Sequence, residues 1–328
     1  MEKLVTRAYN RFEVDETRGV VRKLSSTERL RDEILYYVKL QKYHPSQAVF
    51  FPRLLDHVEP LIADFWMDLE LYSYPNVGNY LFGDKIMPSW SEFFLNLRNI
   101  LVSWSNISPR VKWTDEEIRN AAYDMYITKT EREYRNFYSG WHDKFDSLFI
   151  DQVRAHSVYI NNKQYSMFEV VWPQIKNYIE QNMLTFTPSL IHGDCCFSNI
   201  LYGEDKNIIR FIDPRGSFGK LGNYGDIRYD IAKLYHSLDG TYEAFITDKF
   251  KVTANGNAYQ LDIKNDGELD WALNEFEYIF FPMFNKKEIK IIQGCIFIGM
   301  CARHYDSLER QRAMYLTGIR LLNEALEL

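Results

Sequence analysis

The sequence predicts an α+β protein of two unequal lobes, a small antiparallel sheet carrying one helix followed by a larger, mostly helical lobe. Three observations lead there. β-favouring runs separated by polar turns crowd the segment before Tyr72, helical periodicity dominates after Asn76, and a chain of 328 residues is long for a single core. The expected lobes are residues 1–72 and 73–328.

The elements follow in order. RAYNRFEVDETRGVVRKLSS holds two β-favouring runs around the polar turn Glu16-Thr17-Arg18-Gly19, a hairpin signal. In SSTERLRDEILYYVKLQKY a Ser/Thr cluster caps a helix in which Leu30, Ile34, Tyr37 and Val38 keep helical spacing. FPRLLDHVE and DFWMDLELY read as two further strands. Beyond YPNVGNYLFGD, SWSEFFLNLRNILVSWS is an amphipathic helix. TDEEIRNAAYDMYITKTEREYRNFYSGWHDKF is a long helical stretch with an acidic start and a break near Thr128. SVYINNKQYS reads as a hairpin turning at Asn161-Asn162, and MFEVVWPQIKNYIEQNML as a helix with Pro173 at its start or at a kink. Strands SLIHGD, NILYG and NIIRFID come next, then the helix DIRYDIAKLYHSL, a hairpin through Asn255-Gly256 and three helices.

Composition narrows the function. Apolar residues make up 46% and charged residues 26%, as in a soluble globular protein, while 23 Tyr and 22 Phe predict a bulky interior. A net charge of −6 with no long basic run argues against nucleic acid, yet leaves room for a local cradle that binds a nucleotide. The start has no apolar signal core, and IIQGCIFIGMCA is too short to span a bilayer, so the expectation is a cytoplasmic protein without membrane insertion. The four cysteines, Cys195, Cys196, Cys295 and Cys301, show no C-x-x-C pair and read as reduced thiols.

Chemistry concentrates in LIHGDCCFSNILY. Asp194 follows an apolar run, Asn199 lies beyond a short loop, and the run Ile208 to Ile212 ends on Asp213, so these stations are expected at adjacent strand ends facing one cleft. Two aspartates and an amide oxygen suit Mg²⁺. They are also what phosphoryl transfer requires, one carboxylate to accept a hydroxyl proton and an Asn and an Asp to hold the metal. Cys195 and Cys196 lack both the further ligands of a metal site and the base of a nucleophilic thiol, and read as small loop fillers.

His192-Gly193-Asp194, four residues and Asn199 fit the kinase catalytic-loop frame. With IDPRG after it and GDIRYDIAKLYHSL beyond, the chain resembles the aminoglycoside phosphotransferase and choline kinase family, which has the protein-kinase-like fold. That resemblance implies ATP and Mg²⁺, with Asp194 as the catalytic carboxylate, Asn199 and Asp213 on the metal, and Asp230 bracing the loop. It further implies Lys23 in VVRKLSS on the phosphates, Glu33 in RLRDEI as its partner, and a hinge around Glu70, Leu71 and Tyr72 that receives adenine. YPNVGNYLFGD, IDPRGSFGK and ARHYDSLERQRA also look like a subgroup encoded with bacterial surface-polysaccharide genes. The implied acceptor is the hydroxyl of a sugar, an amino sugar or an amino alcohol.

Departures and alternatives stay beside this reading. There is no G-x-G-x-x-G loop, so phosphate cover falls to AYNRFEV and RGVV; Asp213-Pro214-Arg215 stands at the D-F-G position, and no A-P-E follows. Arg22 leaves the lysine register open by one residue, and Glu28 competes with Glu33. Either aspartate alone reads as a solvated strand end; the ordered set of His192, Asp194, Asn199, Asp213 and Asp230 does not. His192 is expected to order the loop rather than act as a base. Arg215 either caps a turn or contacts a substrate phosphate, and His304 either reaches the acceptor or is a satisfied core histidine. The rivals are a catalytically silent nucleotide-binding or scaffold protein, a protein kinase, and a metal-dependent hydrolase.

Overall fold

The structure is a computed structural model that describes residues 10–58, 65–107, 109–139, 147–264 and 267–328. Parts of four segments read above lie outside the described residues: residues 7–9, Glu59, Asp64 and residues 140–145.

The N-terminal sheet follows from strand alternation. β1 (Asn10–Asp15) and β2 (Val20–Ser25) pair antiparallel across the Glu16–Gly19 turn, where Gly19 takes a φ of 64°. α1 (Glu28–Tyr43), a short α2 (Pro45–Ala48), β3 (Leu54–His57) and β4 (Phe65–Glu70) complete a sheet ordered β1-β2-β4-β3, antiparallel throughout. Because successive side chains in a strand point to opposite faces, Arg22 and Lys23 part company. Arg22 makes a bidentate pair with Asp68 at 2.7 and 2.8 Å and lies over the Trp66 ring, whereas Lys23 is buried on the other face. α1 packs against β4, burying Leu30, Ile34, Tyr37 and Leu40 at helical spacing, with Glu33 among them.

The segment after β4 is tied to the second lobe by Val77 N donating to the Ile200 carbonyl and Tyr202 N donating to the Pro75 carbonyl. Then come α3 (Gly78–Phe82), α4 (Trp90–Ser105) and α5 (Asp115–Tyr123), the last started by a capping box between Thr114 and Glu117. A π-helical turn, Asp124–Thr128, leads straight into α6 (Lys129–Tyr138), so the expected break near Thr128 is a change of helical winding. After α7 (Ser147–Val153), β5 (Ser157–Ile160) and β6 (Lys163–Ser166) turn on Asn161 and Asn162, both at positive φ. α8 (Phe168–Asn182) holds Pro173 inside the helix.

β7 (Ser189–Leu190), β8 (Ile200–Gly203), β9 (Ile208–Phe211) and β10 (Tyr224–Gly225) frame the candidate site, and α9 (Ile227–Leu238) and α10 (Tyr242–Ile246) back it. β11 (Phe250–Asn255) and β12 (Ala258–Ile263) join the β5–β6 hairpin in a second four-stranded sheet, with β12 parallel to β5. α11 (Glu268–Phe280), α12 (Lys286–Met300) and α13 (Leu308–Glu327) finish the chain. The apolar window predicted as a buried helix lies in α12 up to Met300, with Cys301 and Ala302 in the 3₁₀ turn that follows; the helix is buried from Ile289 to Gly299. Among the described residues no helix is long and apolar enough to cross a membrane.

One expectation is corrected. β7 pairs with β10, and β8 with β9, so the strands before Asp194 and Asp213 are not neighbours in one ladder. The SLIHGD run stops being a strand after Leu190 because the chain turns at Gly193, at a φ of 79°. What joins the two segments is the His192 ring, hydrogen-bonded to the Ile212 carbonyl at 2.9 Å, and Arg215 N, donating to the His192 carbonyl at 2.9 Å.

α1 also docks on the second lobe. Tyr36 donates its hydroxyl to the Ile191 carbonyl at 3.0 Å, and Asn223 donates to the Tyr36 carbonyl at 3.2 Å. Gly216, at a φ of 81°, touches the backbone of α1 so closely that an added Cβ would stand 2.5 Å from the Asp32 carbonyl oxygen. Gly19 has a similar φ of 64° but nothing within 4 Å of such a Cβ. Gly19→Ala is therefore expected to cost only the left-handed backbone, about 1 kcal/mol, and Gly216→Ala a further 1–3 kcal/mol or so from overpacking. Urea denaturation of the two variants measures the excess; equal losses would mean that the α1 contact yields freely.

Candidate functional site

The loop between β7 and β8 is shaped by buried acceptors behind it. Asp230, in the first turn of α9 and fully buried, receives the amides of His192 and Gly193 at 2.7 Å each, one on each carboxylate oxygen. One face of α9 continues the support, since residues three and seven positions on lie along the same stripe. Ser237 accepts from Phe197 N at 3.0 Å and donates to Glu243 at 2.9 Å, and Glu243 accepts from Ser198 N at 3.1 Å. Phe197 anchors the loop among Trp90, Phe93 and Phe94. Cys196 N and Asn199 N are bonded inside the loop, to the carbonyls of Asp194 and Cys196, as buried amides require.

Asp194 emerges from this support with its side chain 40% exposed, and Lys233, buried one turn beyond Asp230, lies 2.8 Å from its Oδ1. Burial alone would push the Lys233 amine down, but Asp194 beside it holds the ammonium form and raises its pKa. Asn199 donates its amide nitrogen to the Asp194 carbonyl at 2.9 Å, which leaves Oδ1 as a lone-pair donor. Asp213 sits at a φ of 57°, a strained region for a non-glycine residue and one that collects at functional sites.

Lys23 joins the lobes. Its ammonium lies 2.7 Å from Glu33 Oε2 and also contacts Asp213 Oδ1. Burial would lower its pKa, yet Asp213 and Glu33 raise it above the usual lysine value. Of the two carboxylates Asp213 keeps the charge: against the cost of burial Lys23 holds its pKa below the ordinary value, with its side chain 43% exposed, while burial raises Glu33. Glu28, the competing partner, pairs with Arg31 instead.

The remaining candidates each have local contacts of their own. Leu71 N donates to the Gly19 carbonyl at 2.8 Å, so that amide of the expected hinge is engaged. Tyr72 stacks on Tyr74 and bonds Glu70 through its hydroxyl at 2.9 Å, under the Arg210 guanidinium. Arg215 crosses Gly193, where an added Cβ would meet its own Cβ at 2.8 Å, and donates to the Tyr229 hydroxyl at 3.4 Å. His304 is buried, and its neighbour Arg303 pairs with Glu133 at 3.1 Å. Cys195 and Cys196 are buried free thiols with pKa values pushed up by burial, to about 12 for Cys196. Among the described residues no group of three or more His, Cys, Asp and Glu is placed to hold a metal.

Sequence reasoning missed Lys233, Ser237, Glu243 and Lys129. The first two carried a signal, positions three and seven after Asp230 on one helical stripe. Glu243 and Lys129 carried none, because their approach to the loop depends on packing between distant elements.

The His192 ring is fixed by its contacts. Nδ1 accepts from Asp194 N at 3.2 Å while Nε2 donates to the Ile212 carbonyl, an arrangement only the neutral ring can make. Burial lowers its pKa from 6.5 to about 4. A depressed histidine pKa contributes stability that is present above pH 6.5 and lost as pH falls towards 4. Wild-type protein is thus expected to lose about 3 kcal/mol more than His192→Asn across that window. Urea unfolding at each pH reads the difference, and parallel losses would contradict the neutral ring.

No family model matches the chain, and no curated protein matches it. Solved structures do. A thermostable mutant of aminoglycoside phosphotransferase APH(4)-Ia, in ternary complex with AMP-PNP and hygromycin B, is 10% identical, with 97% of this chain and 92% of that chain covered and a TM-score of 0.56. Aminoglycoside phosphotransferase APH(2'')-Ib, ADP-bound, is 13% identical over 97% of this chain and 93% of that one, with a TM-score of 0.53. A Haemophilus somnus 129PT protein described as a fructosamine-3-kinase is 14% identical over 99% and 90% of the two chains, with a TM-score of 0.52. The small antiparallel sheet lobe and the helical lobe behind it are thus the two-lobed, kinase-like fold of the aminoglycoside phosphotransferases.

Proposed function

We propose that the protein is an ATP- and Mg²⁺-dependent phosphotransferase acting on the hydroxyl of a small molecule, with nucleotide bound between lobes 1–72 and 73–328. The observation that carries this is the convergence of Lys23, Glu33, Asp194, Asn199 and Asp213 from separate segments onto one centre. The nucleotides bound by the structural neighbours named above support it. So does the acceptor-side exposure of Asp194. The YPNVGNYLFGD, IDPRGSFGK and ARHYDSLERQRA segments favour a polysaccharide precursor as the setting.

The residues present fit the metal. Of the two carboxylates at Lys23, Asp213 is the charged and more exposed one, and its contact with the ammonium can be exchanged for a divalent cation. Asp213 supplies a carboxylate oxygen and Asn199 an amide oxygen, the sparse protein set that Mg²⁺ uses when phosphate oxygens and water fill its shell. When bound, Mg²⁺ supplies neutralisation of phosphate charge.

The chain's own groups do the rest. Lys23, steadied by Glu33, would hold the phosphates once its contact with Asp213 is exchanged for phosphate oxygen. Asp194 accepts the acceptor's hydroxyl proton as that oxygen bonds to the γ-phosphorus and the bond to the β–γ bridging oxygen breaks, so ADP leaves with the electron pair. The Lys233 ammonium beside Oδ1 favours the Asp194 anion and fixes the direction of its carboxylate.

Asp194→Asn is expected to lower kcat by a factor on the order of 10³ or more with nucleotide affinity within about threefold, as for loss of a group used mainly in the transition state. Coupled-enzyme kinetics with a nucleotide titration measure both, and near-normal turnover would refute the assignment. Lys233→Met is expected to lower kcat and raise the apparent pKa seen on the acidic limb of the kcat profile, since it removes the cation that favours the Asp194 anion. A reduced kcat with an unmoved acidic limb would leave Lys233 only a packing part.

A further inference from the structure

The acceptor side of the site is cationic. Lys129, half-buried at the start of α6, donates to the Tyr229 hydroxyl at 3.3 Å, and Arg215 donates to the same oxygen at 3.4 Å. A lysine and an arginine therefore share one phenolic oxygen. Among the described residues neither has a carboxylate partner within ion-pair distance. Arg303 and Lys233 also face Lys129; Arg303 is paired with Glu133 and Lys233 with Asp194. Burial and these three cations push the Lys129 amine well below its usual pKa, with only Asp194 opposing them.

Two features of the backbone hold this arrangement. Lys129 follows directly on the π-helical turn Asp124–Thr128, a winding that re-aims side chains and recurs at functional sites. Arg215 can lie across the loop because residue 193 is glycine. Tyr229, 4% exposed, accepts both cationic donors, so its own hydroxyl proton remains to be given to a third group. Three donors thus meet beside a reachable Asp194 with a counter-charge missing.

We infer that the acceptor alcohol carries an oxyanion, a phosphate or a carboxylate, that docks on Lys129, Arg215 and Tyr229 while its hydroxyl faces Asp194. Such a lining disfavours an amine-bearing acceptor, because an ammonium would meet the cationic groups that gather there. The amino sugars and amino alcohols considered from the sequence are accordingly the poorer fit. This reading rests on the proposed phosphotransfer for the role of Asp194, but anion binding at Lys129 and Arg215 can be measured without turnover.

The test is calorimetric titration with glycerol 3-phosphate, glucose 6-phosphate and glucuronate against glycerol, glucose and glucosamine, each with and without saturating AMP-PNP and Mg²⁺. At least one anionic compound is expected to bind about tenfold or more tightly than its uncharged counterpart, with glucosamine the weakest. Lys129→Met and Arg215→Gln, made singly and together, are expected to remove that preference while AMP-PNP affinity stays within about twofold. Tyr229→Phe, which keeps the ring, should weaken anion binding alone. The inference is overturned if no anionic compound binds, if glucose or glucosamine binds as tightly, or if the double variant keeps the preference. Failure of AMP-PNP to bind would count against the phosphotransfer reading instead, leaving the nucleotide-free titration to decide on the anion site.

Discussion

A buried carboxylate holding two backbone amides is the constraint on which the site depends. Asp230 has no water to turn to, and its two oxygens are spent on His192 N and Gly193 N. Burial raises its pKa to about 7, and the two amide bonds work against that rise. The turn they enforce points Asp194 out of the core, brings Asn199 back beneath the Asp194 carbonyl, and presents the His192 ring to the segment that carries Asp213. The same helix then adds Lys233 and Ser237 at the next turns, so a single element both shapes the loop and sets the charge on its central residue.

Charge is partitioned across the cleft. On the side proposed for the nucleotide Lys23 stands between Glu33 and Asp213, and Asp213 carries the exposed anionic oxygen. Across Asp194 the balance reverses, with Lys129 and Arg215 sharing the Tyr229 hydroxyl. Asp194 thus lies between the proposed cation site and the proposed anion site, paired with a lysine that belongs to neither. Gly216 couples this geometry to the N-terminal lobe by bringing the segment after Asp213 against the backbone of α1, one residue from Glu33.

Local patterning made much of this legible. Hairpin turns at Glu16–Gly19 and Asn161–Asn162, the helix around Leu30 and Ile34, and the buried helix near Ile291 all follow from spacing of turn and apolar residues over short windows. The spacing of Asp194, Asn199 and Asp213 was visible because each stands beside an apolar run. The register left open between Arg22 and Lys23 is decided by strand pairing: Arg22 faces Asp68 and Lys23 faces Glu33. What could not be read were contacts between elements far apart in the chain. The pairing of β7 with β10 rather than with β8 or β9, the support from Glu243, and the approach of Lys129 to Arg215 all depend on how packed helices place the loops. A lysine at the start of a polar helix such as α6 looks solvated until the fold turns it inward.

The central claim, that the γ-phosphoryl group goes to an acceptor hydroxyl at Asp194, is tested most directly with ATP labelled with ¹⁸O on the non-bridging γ-oxygens. The protein is incubated with Mg²⁺ and a mixture of small alcohols, and the products are read by mass spectrometry. The account predicts ADP and a phosphomonoester in equal amounts, the ester carrying all the labelled oxygens and one unlabelled oxygen from the acceptor. ADP with labelled free phosphate and no ester, or no ADP at all, would contradict it.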